Sequence, residues 1–369
     1  MDKYLYENYA LFGTVPKEKR GLTARVRSIL ANPMYHFVLF GAVMILVGFL
    51  SASKILPYSL QSGMAVTFAY SLASVGFCLL MGYSGLASLG TGGFMGIGCY
   101  SIHFVMTEAG LPFGVALIVA LAIAVVLGLI VGIVSLRIEG IYLVILTLGL
   151  SEILRNLYIA VQDSIYLSTF KLFGMTIPRS ASVYVVTVLL VIVMMLTHNL
   201  IVSPTGRAML AMKNSTAAAQ AMGISLMKYR LLAFVICTVY AVLSGMMLMI
   251  TIRSAMATDA SGFYALITSL NILAAVIIGG FRSIWGAVFG TFMMYGLQTM
   301  LLNRIPFLQL LKRLIFLAAA AAAAAAAAKL LQLCPALCDP IDSSTSGSAA
   351  PGIVQARTLE WVAIAFSNA

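Results

Sequence analysis

Charged residues are scarce in this chain of 369 residues, of which Asp, Glu, Lys and Arg make up only 9%. A soluble domain normally contains about 25% charged residues, so this chain cannot cover a surface that faces water. Hydrophobic residues make up 62% of it. They form continuous apolar stretches of about twenty residues, the length needed to cross the hydrocarbon core of a bilayer. Because the strict alternation of a membrane β-barrel is missing, the sequence predicts an all-α, polytopic helical membrane protein.

Several chemical signatures are also missing. The five cysteines give no disulfide framework, since Cys78, Cys99 and Cys237 fall within apolar stretches and are expected to be small core residues. The sequence contains no GxxxxGK[ST] phosphate-binding loop, metal-ligand cluster, nucleophile elbow or paired-carboxylate site. Its net charge of +11 is too dispersed to form a stripe for nucleic acid. We therefore expect no enzyme activity, cofactor, metal or nucleic-acid partner, and any ATP hydrolysis would belong to a separate chain.

Nine apolar stretches predict membrane crossings, and a tenth after them stays open. The nine cover residues 37–53, 58–81, 92–107, 112–135, 140–160, 183–202, 231–252, 264–281 and 286–302. The chain is thus expected to have three regions: an N-terminal segment over residues 1–36, a transmembrane domain over residues 37–317, and a C-terminal tail over residues 318–369.

The basic residues predict the orientation of these crossings. Loops on the cytoplasmic side of a membrane protein are rich in Lys and Arg. With the N-terminus inside, the N-terminal segment and the loops around 136–140, 203–230 and 282–285 hold twelve Lys and Arg residues. The segments on the opposite side hold seven. This bias favours a cytoplasmic N-terminal segment.

Residues 76–98 hold eight glycines in an otherwise apolar stretch, and two interpretations of them stay open. Glycine lets membrane helices pack closely. Such a density of glycine also indicates a break, with Gly82-Tyr83-Ser84-Gly85 as a turn or re-entrant element. Irregular backbone at membrane depth is tolerated only where it is buried in protein or lines a water-filled path. A second glycine-rich stretch over residues 279–286 indicates an interrupted segment in the other half of the chain.

The longest polar interruption between apolar stretches covers residues 203–230. Asn214 or Ser215 can cap a short helix there, and Gly223 can end it in the left-handed conformation. The alanines in between give this helix a smooth face, which suits a shallow groove on a partner because nothing protrudes to prevent close approach. Taken alone, the pattern fits a plain interfacial helix at least as well as a docking element. Flanking basic residues can pair with acidic groups or lipid phosphates.

Glu152 and Arg155 are charged residues within the crossing predicted over residues 140–160. Three positions separate them, so they share a helix face. A lone charge at the centre of a bilayer costs roughly 2.5–3.5 kcal/mol, so we expect Glu152 to face the bundle interior and Arg155 to do the same or to reach the outer interface. Glu152 then belongs either to a polar path or to a structural ion pair. Thr147 and Asn271 add further polarity to the interior.

Four groups of motifs occur in a characteristic order. They are Gly82-Tyr83-Ser84-Gly85-Leu86-Ala87-Ser88-Leu89-Gly90; Leu136-Arg137-x-x-Gly140-x-Tyr142 with Glu152-Ile153-Leu154-Arg155; Ser203-Pro204-x-Gly206-Arg207-Ala208 with Gly223-Ile224; and Ile278-Gly279-Gly280 with Ser283-x-Trp285-Gly286. Together they resemble the permease subunits of the branched-chain amino acid ABC transporter family, over roughly residues 35–305.

The resemblance implies a permease of the bacterial inner membrane, embedded in lipid, that translocates branched-chain or related amino acids delivered by an extracytoplasmic binding protein. It also implies a second permease subunit, in a homo- or heterodimer, and separate ABC ATPase subunits. The loop over residues 203–230 would bind the ATPase and pass its closure to the membrane helices. Two alternatives stay open: a permease of the same superfamily for urea or a simple sugar, and an ion-coupled secondary transporter.

Two groups of site residues are expected from this resemblance. The ATPase-coupling loop includes Arg207, Lys213, Ala217, Ala218, Ala221 and Gly223. The translocation path includes Gly85, Ser88, Gly90, Thr147, Glu152 and Asn271. Against the ion-coupled alternative, which needs acids in discontinuous membrane helices, Glu152 is the only convincing membrane-embedded acid.

The C-terminal tail differs in composition from the rest of the chain. Residues 318–328 are eleven consecutive alanines. Alanine is the best helix former, so a tenth helix can still form here, although lipid would anchor it weakly. Residues 337–367 resemble the translation of a mammalian interspersed repeat. We expect the tail to be an accidental replacement of the family's last helix, with no transport role.

Overall fold

The computed structural model describes residues 33–52, 58–135, 141–167, 170–172, 175–258, 265–297 and 299. Within these ranges the α-helices are Pro33–Ala52 (α1), Tyr58–Leu79 (α2), Thr91–His103 (α3), Phe113–Ser135 (α4), Ile141–Val161 (α5), Ser182–Val202 (α6), Pro204–Asn214 (α7), Thr216–Ala221 (α8), Leu226–Ile252 (α9), Leu266–Gly279 (α10) and Ile284–Thr291 (α11). Four short strands are Ser164–Tyr166 (β1), Phe170–Leu172 (β2), Met175–Ile177 (β3) and Ser254–Met256 (β4). The predicted helical, polytopic fold is confirmed.

Each of the nine predicted crossings overlaps one of these helices, and the last of them, over residues 286–302, lies partly outside the described residues. Helical segments at α2, α4, α5, α6 and α9 have the length and composition to cross a membrane. The other four crossings coincide with α1, α3, α10 and α11, and that these helices span the bilayer stays a prediction. Most of the N-terminal segment, the loop over 136–140 and the whole C-terminal tail, with its polyalanine run, lie outside the described residues.

Two helices, α2 and α9, form the centre of the bundle. α9 packs against α2, α3 and α4, while α2 also contacts α6, α10 and α11. α3 and α9 approach each other closely. A Cβ atom on Gly98 would lie 2.0 Å from the carbonyl oxygen of Val242, and one on Gly245 would lie 1.9 Å from that of Met95. Glycine at these two positions therefore allows the two backbones to touch.

An irregular segment separates α2 from α3 inside the bundle. α2 continues into a π-helical turn at Leu80–Ser84, and Gly85 follows with φ of 75°. Residues 85–90 are not helical, and α3 begins at Thr91. Both interpretations of the glycine-rich stretch therefore apply, at different residues: close packing at Gly98 and a break in the helix from Gly85 onward.

Polar segments gather at the two ends of α9. One group lies near the start of α9, at Leu226. It consists of α7, α8, the end of α2, and the turn between α10 and α11. At the other end of α9, β1 pairs antiparallel with β4, with Ile165 opposite Ala255, and Arg179 Nε donates to the carbonyl of Thr251 at 2.9 Å. Segments predicted to share one side of the membrane thus lie together, although which side is cytoplasmic stays a prediction.

Candidate functional site

The loop over residues 203–230 folds into two short helices. Pro204 is the first residue of α7. Proline suits this position because it lacks a backbone N–H, and the N–H of the first helical residue has no partner within the helix. Ser215 caps α8, because its Oγ accepts a hydrogen bond from the N–H of Ala218 at 3.3 Å. After α8, Gly223 has φ of 78°. The predicted short helix, its serine cap and its left-handed glycine are confirmed.

The outer surface of α8 consists mostly of small side chains, with Gln220 also exposed, and a methionine follows the helix. Its exposed alanines are Ala217, Ala218 and Ala221. Ala219 is buried and attaches α8 to the bundle. Met222, directly after α8, is 83% exposed, and a Cβ atom on Gly223 would meet nothing within 4 Å. Because a methionine side chain adapts readily to a partner, α8 and Met222 form an open patch suited to binding. Met222 is not among the residues predicted for the coupling loop.

Lys213, at the end of α7, connects this loop to α2. Its Nζ donates hydrogen bonds to the carbonyl oxygens of Met81 at 3.2 Å and Gly82 at 2.8 Å. The last carbonyls of a helix lack partners within it and form the negative end of its dipole, so a cation is favourable there. Partial burial, and then the nearby Arg282 guanidinium, lower the pKa of the Lys213 ammonium. Arg207, the other basic residue predicted for the coupling loop, is exposed on α7.

The turn between α10 and α11 packs on the same end of α2. A Cβ atom on Gly82 would lie 1.8 Å from the carbonyl oxygen of Phe281. The Cys78 thiol donates to that oxygen at 3.2 Å, and the Tyr83 hydroxyl donates to the carbonyl of Arg282 at 3.1 Å. We call the contact region formed by Lys213, residues 78–85 and residues 280–283 the junction. It joins three segments that are distant in sequence.

The beginning of α3 is capped by two other helices. The N–H of Gly92 donates to Ser269 Oγ of α10 at 2.8 Å, and the N–H of Gly93 donates to Ser151 Oγ of α5 at 3.0 Å. Both serines are buried. The first N–H groups of a helix have no partner within it, so α3 can begin inside the bundle because α5 and α10 supply acceptors. Both serines lie within predicted membrane crossings, and the sequence does not show what they bind.

Thr147 of α5 holds the irregular segment just before α3. Its Oγ1 accepts a hydrogen bond from the N–H of Leu89 at 3.0 Å and donates to the carbonyl of Val144 at 3.0 Å. Within the segment, Ser88 Oγ accepts from the N–H of Gly90 at 3.3 Å. Three of the residues predicted for the path, Ser88, Gly90 and Thr147, therefore lie together.

Replacing Thr147 with valine is expected to destabilise the protein by about 1–3 kcal/mol, because valine has nearly the same shape and leaves the Leu89 N–H without its acceptor. Thr187→Val is the matched control, since the buried Thr187 hydroxyl donates only to Val183 within its own helix at 2.7 Å. Thermal unfolding of both variants in detergent measures the difference. Equal losses of stability would show that Thr147 does not hold the segment.

The other predicted path residues lie apart from this cluster. Gly85 is exposed at the junction, where a Cβ atom would lie 3.3 Å from Lys213 Cγ. Asn271 follows Ser269 by two residues on α10, which turns it about 200° away from the face that caps α3. In the described part of the chain, no three His, Cys, Asp or Glu side chains come together as a metal site.

Glu152 lies on the outward face of α5. Its side chain is 45% exposed and pairs with Arg155, whose NH1 lies 2.8 Å from Oε1. The prediction that Glu152 faces the interior of this bundle is wrong, because the adjacent Ser151 occupies the inward position against α3. Arg155 also donates through Nε to the carbonyl of Ala257 at 3.2 Å. Arg155 thus reaches towards the end of the bundle that holds β4. This agrees with the second of its two predicted positions, at the outer interface.

Comparison with known proteins relates this architecture to transport. The family described as "Branched-chain amino acid transport system / permease component" matches residues 59–332. The resemblance inferred from the motifs is thereby confirmed, and the match runs past residue 305 through the polyalanine run. Residues 337–367 lie beyond it, so their resemblance to an interspersed repeat stays a prediction.

Two relatives are high-affinity branched-chain amino acid transport system permease proteins LivM, from Escherichia coli (strain K12) and Salmonella typhimurium (strain LT2). Each is 28% identical over 249 residues, which cover 59% of this chain and 58% of the relative. The match thus spans less than two thirds of either relative. No solved structure matches. Because the family match covers most of its length, the chain belongs to the family of permease components of branched-chain amino acid transport systems.

Proposed function

We propose that this chain is the membrane-spanning permease subunit of an ATP-driven importer, for branched-chain or related amino acids delivered by an extracytoplasmic binding protein. The observation that carries the proposal is the link made by Lys213. It joins a loop with an exposed binding patch to the break between α2 and α3. The family favours amino acids over urea or a sugar as the substrate. The chain lies in the bacterial inner membrane with its N-terminus and α8 in the cytoplasm.

The ATPase subunit, a separate chain, binds the patch formed by α8 and Met222. The exposed alanines of α8 let a groove approach its backbone, and Met222 supplies an adaptable apolar contact. α8 is short and is attached to the bundle through Ala219 and through α7. A displacement of α8 by the closing ATPase is therefore passed to α7 and to Lys213.

From Lys213 the movement reaches two membrane segments at once. The bonds to Met81 and Gly82 pull on the end of α2, directly before the irregular segment. Gly82 in turn packs against the turn between α10 and α11 with no space between the backbones. A small shift of α7 thus changes the break in α2–α3 and the position of α10 together, as an alternating-access step requires.

The substrate path runs along the irregular segment, bordered by Ser88, Gly90 and Thr147, with Gly85 nearer the cytoplasm. Irregular backbone inside a membrane bundle is tolerated where protein or a water-filled path satisfies it. The hydrogen bonds from Leu89, Gly92 and Gly93 keep this segment open between α5 and α10. Glu152, already paired with Arg155, is the only acidic residue in the described α-helices, which gives no support to ion-coupled transport.

Replacing Ala218 with tryptophan tests the binding patch. A large side chain on a surface that packs closely costs about 1–3 kcal/mol, so binding of the ATPase subunits is expected to weaken about tenfold or more, with a parallel loss of uptake. The protein should remain folded in the membrane. The measurement is ATP-driven amino acid uptake, together with the ATPase retained on the purified permease, in proteoliposomes that contain the whole transporter.

Ala109→Trp is the control, because Ala109 is an exposed residue that follows α3 at the opposite end of the bundle. This variant should keep its ATPase. Normal binding and uptake by Ala218→Trp would rule out α8 as the site of ATPase binding.

A further inference from the structure

Two basic residues of the junction, Lys213 and Arg282, lie near each other without an acidic partner. The Lys213 ammonium group has three hydrogens, and two of them are donated to the carbonyl oxygens of Met81 and Gly82. Arg282 is exposed, and neither residue forms an ion pair with a described residue. Partial burial and then the charge of Arg282 lower the pKa of the Lys213 ammonium. The two cations therefore repel each other, and an anion between them would remove that repulsion.

The acidic residues in the described part of the chain cannot supply this anion. Glu152 is paired within α5. Glu108 and Asp163 lie at the opposite end of the bundle, beside His103 and Thr258. The end that holds the junction instead carries further exposed basic residues on α7 and at the start of α9. A compensating anion has to come from outside the described bundle.

An exposed apolar surface begins one turn after Arg282. It consists of Trp285, Phe289, Phe292 and Met293, which follow one another at helical spacing on α11 and on the π-helical turn that continues it. Each of the four is between 37% and 55% exposed. From Trp285 to Phe292 this surface extends about 10 Å along the helix axis. We call these four residues the α11 stripe.

Trp285 marks the level at which acyl chains meet headgroups. Its ring stacks on Phe37 of α1 with 5.1 Å between centroids, and it meets Phe40 edge-on at 5.3 Å. α1 thus holds the indole in place while part of it stays exposed. Tryptophan is enriched at membrane interfaces because its ring is amphipathic. The Arg282 guanidinium then lies at the level of the headgroups, and the rest of the α11 stripe lies at the level of the acyl chains.

We propose that Lys213, Arg282 and the α11 stripe form a binding site for one anionic phospholipid. Its phosphate lies between the ammonium and guanidinium groups, and an acyl chain covers Phe289 and Phe292. An anionic lipid compensates both cations, whereas a zwitterionic lipid brings an ammonium group of its own. An acidic loop of a soluble partner would reach the two cations but not the apolar side chains that follow them along α11. The lipid joins α7 to α11 from the membrane side.

Quenching of Trp285 fluorescence by brominated lipids tests this site. The full chain carries Trp361→Phe, because Trp361 is its other tryptophan, and is placed in phosphatidylcholine vesicles. A small fraction of the lipid is brominated on its acyl chains, as phosphatidylglycerol in one sample and as phosphatidylcholine in the other. We expect brominated phosphatidylglycerol to quench at a mole fraction at least about fivefold lower, since each cation at such a surface strengthens the binding of anionic lipid by about that factor.

Arg282→Gln should reduce this preference about fivefold. The variant is expected to fold, because Arg282 accepts the hydrogen bond of Tyr83 through its backbone carbonyl, which glutamine retains. Lys228→Gln is the matched control, since Lys228 is an exposed lysine at the same end of the bundle, and it should keep the preference. Equal quenching by the two lipids, or equal preferences in the two variants, would overturn the proposal. Weak quenching by both lipids would mean that protein covers the α11 stripe, which overturns it as well.

Native mass spectrometry of the whole transporter, released from its membrane, gives a second measurement. Phosphatidylglycerol should remain bound to the unmodified protein and to Lys228→Gln, and about fivefold less of it to Arg282→Gln. Absence of this lipid from the unmodified transporter, or equal retention by the two variants, also counts against the site. Neither measurement involves transport, so failure of the proposed function would leave both results unchanged.

Discussion

Replacing Gly245 with leucine is expected to remove the folded protein from the membrane, and Gly245→Ala to leave only a small part of it. The first added atom, Cβ, would lie 1.9 Å from the carbonyl oxygen of Met95 and 2.6 Å from its carbonyl carbon. No side-chain rotation relieves that contact, because the atoms concerned are backbone. Because an ordinary contact between such atoms is about 3.5 Å, α3 and α9 would have to separate by more than about 1 Å to accept the new atom.

Such a separation would disturb a fully buried part of the bundle. Met246 and Met249 of α9 and Met95 of α3 are completely buried, and the Cys99 thiol donates to the carbonyl of Gly245 at 3.1 Å. Overpacking in a core costs about 1–3 kcal/mol when side chains can move, and a collision with backbone exceeds that range. Native proteins are stable by only about 5–15 kcal/mol, so the loss is a large share of the total.

Gly114→Ala provides the comparison. Gly114 lies near the start of α4, and a Cβ atom there would meet nothing within 4 Å, so alanine should be neutral or stabilising by up to about 1 kcal/mol through its helix propensity. The amount of protein in the membrane fraction and its unfolding midpoint in detergent measure both variants. Comparable stability of Gly245→Ala and Gly114→Ala would mean that α3 and α9 do not cross at Gly245.

The parts of this structure that could be predicted from sequence are those set by local chemistry. The helices follow from the lengths of the apolar stretches, because a bilayer of fixed thickness demands about twenty apolar residues. The roles of Ser215 and Gly223 are predictable because a cap and a left-handed glycine act on their own helix. Gly85 likewise marks a break that its own backbone conformation requires.

The contacts between helices could not be predicted in this way. Ser269 caps α3 across 177 positions of sequence, and Lys213 binds Gly82 across 131. In each case the residue type was visible, whereas its partner depends on which helices become neighbours. The predicted inward position of Glu152 was wrong for a related reason. A charge in a membrane helix must avoid lipid, but the sequence of one chain does not say whether its own bundle or another subunit covers that charge.

Replacing Lys213 with methionine is expected to lower uptake about 5- to 150-fold, the range of a coupling free energy of 1–3 kcal/mol between two sites, while the ATPase stays bound. Methionine retains most of the aliphatic length of lysine and loses the ammonium group that donates to Met81 and Gly82. α8 keeps its exposed patch, since its own cap and attachment are formed by Ser215 and Ala219. ATP hydrolysis should therefore continue without moving the end of α2.

The ratio of amino acid taken up to ATP hydrolysed, measured in proteoliposomes, separates this effect from simple loss of docking. Lys228→Met is the control, since Lys228 is an exposed lysine near the start of α9 at the same end of the bundle; its ratio should not change. Lys213→Arg retains a cationic donor and is expected to keep part of the coupling. If Lys213→Met releases the ATPase, its role is in binding, and if it transports normally, the movement reaches α2 by another contact. Either result would refute transmission through Lys213, because that mechanism requires an ATPase that stays attached and hydrolyses ATP with little uptake.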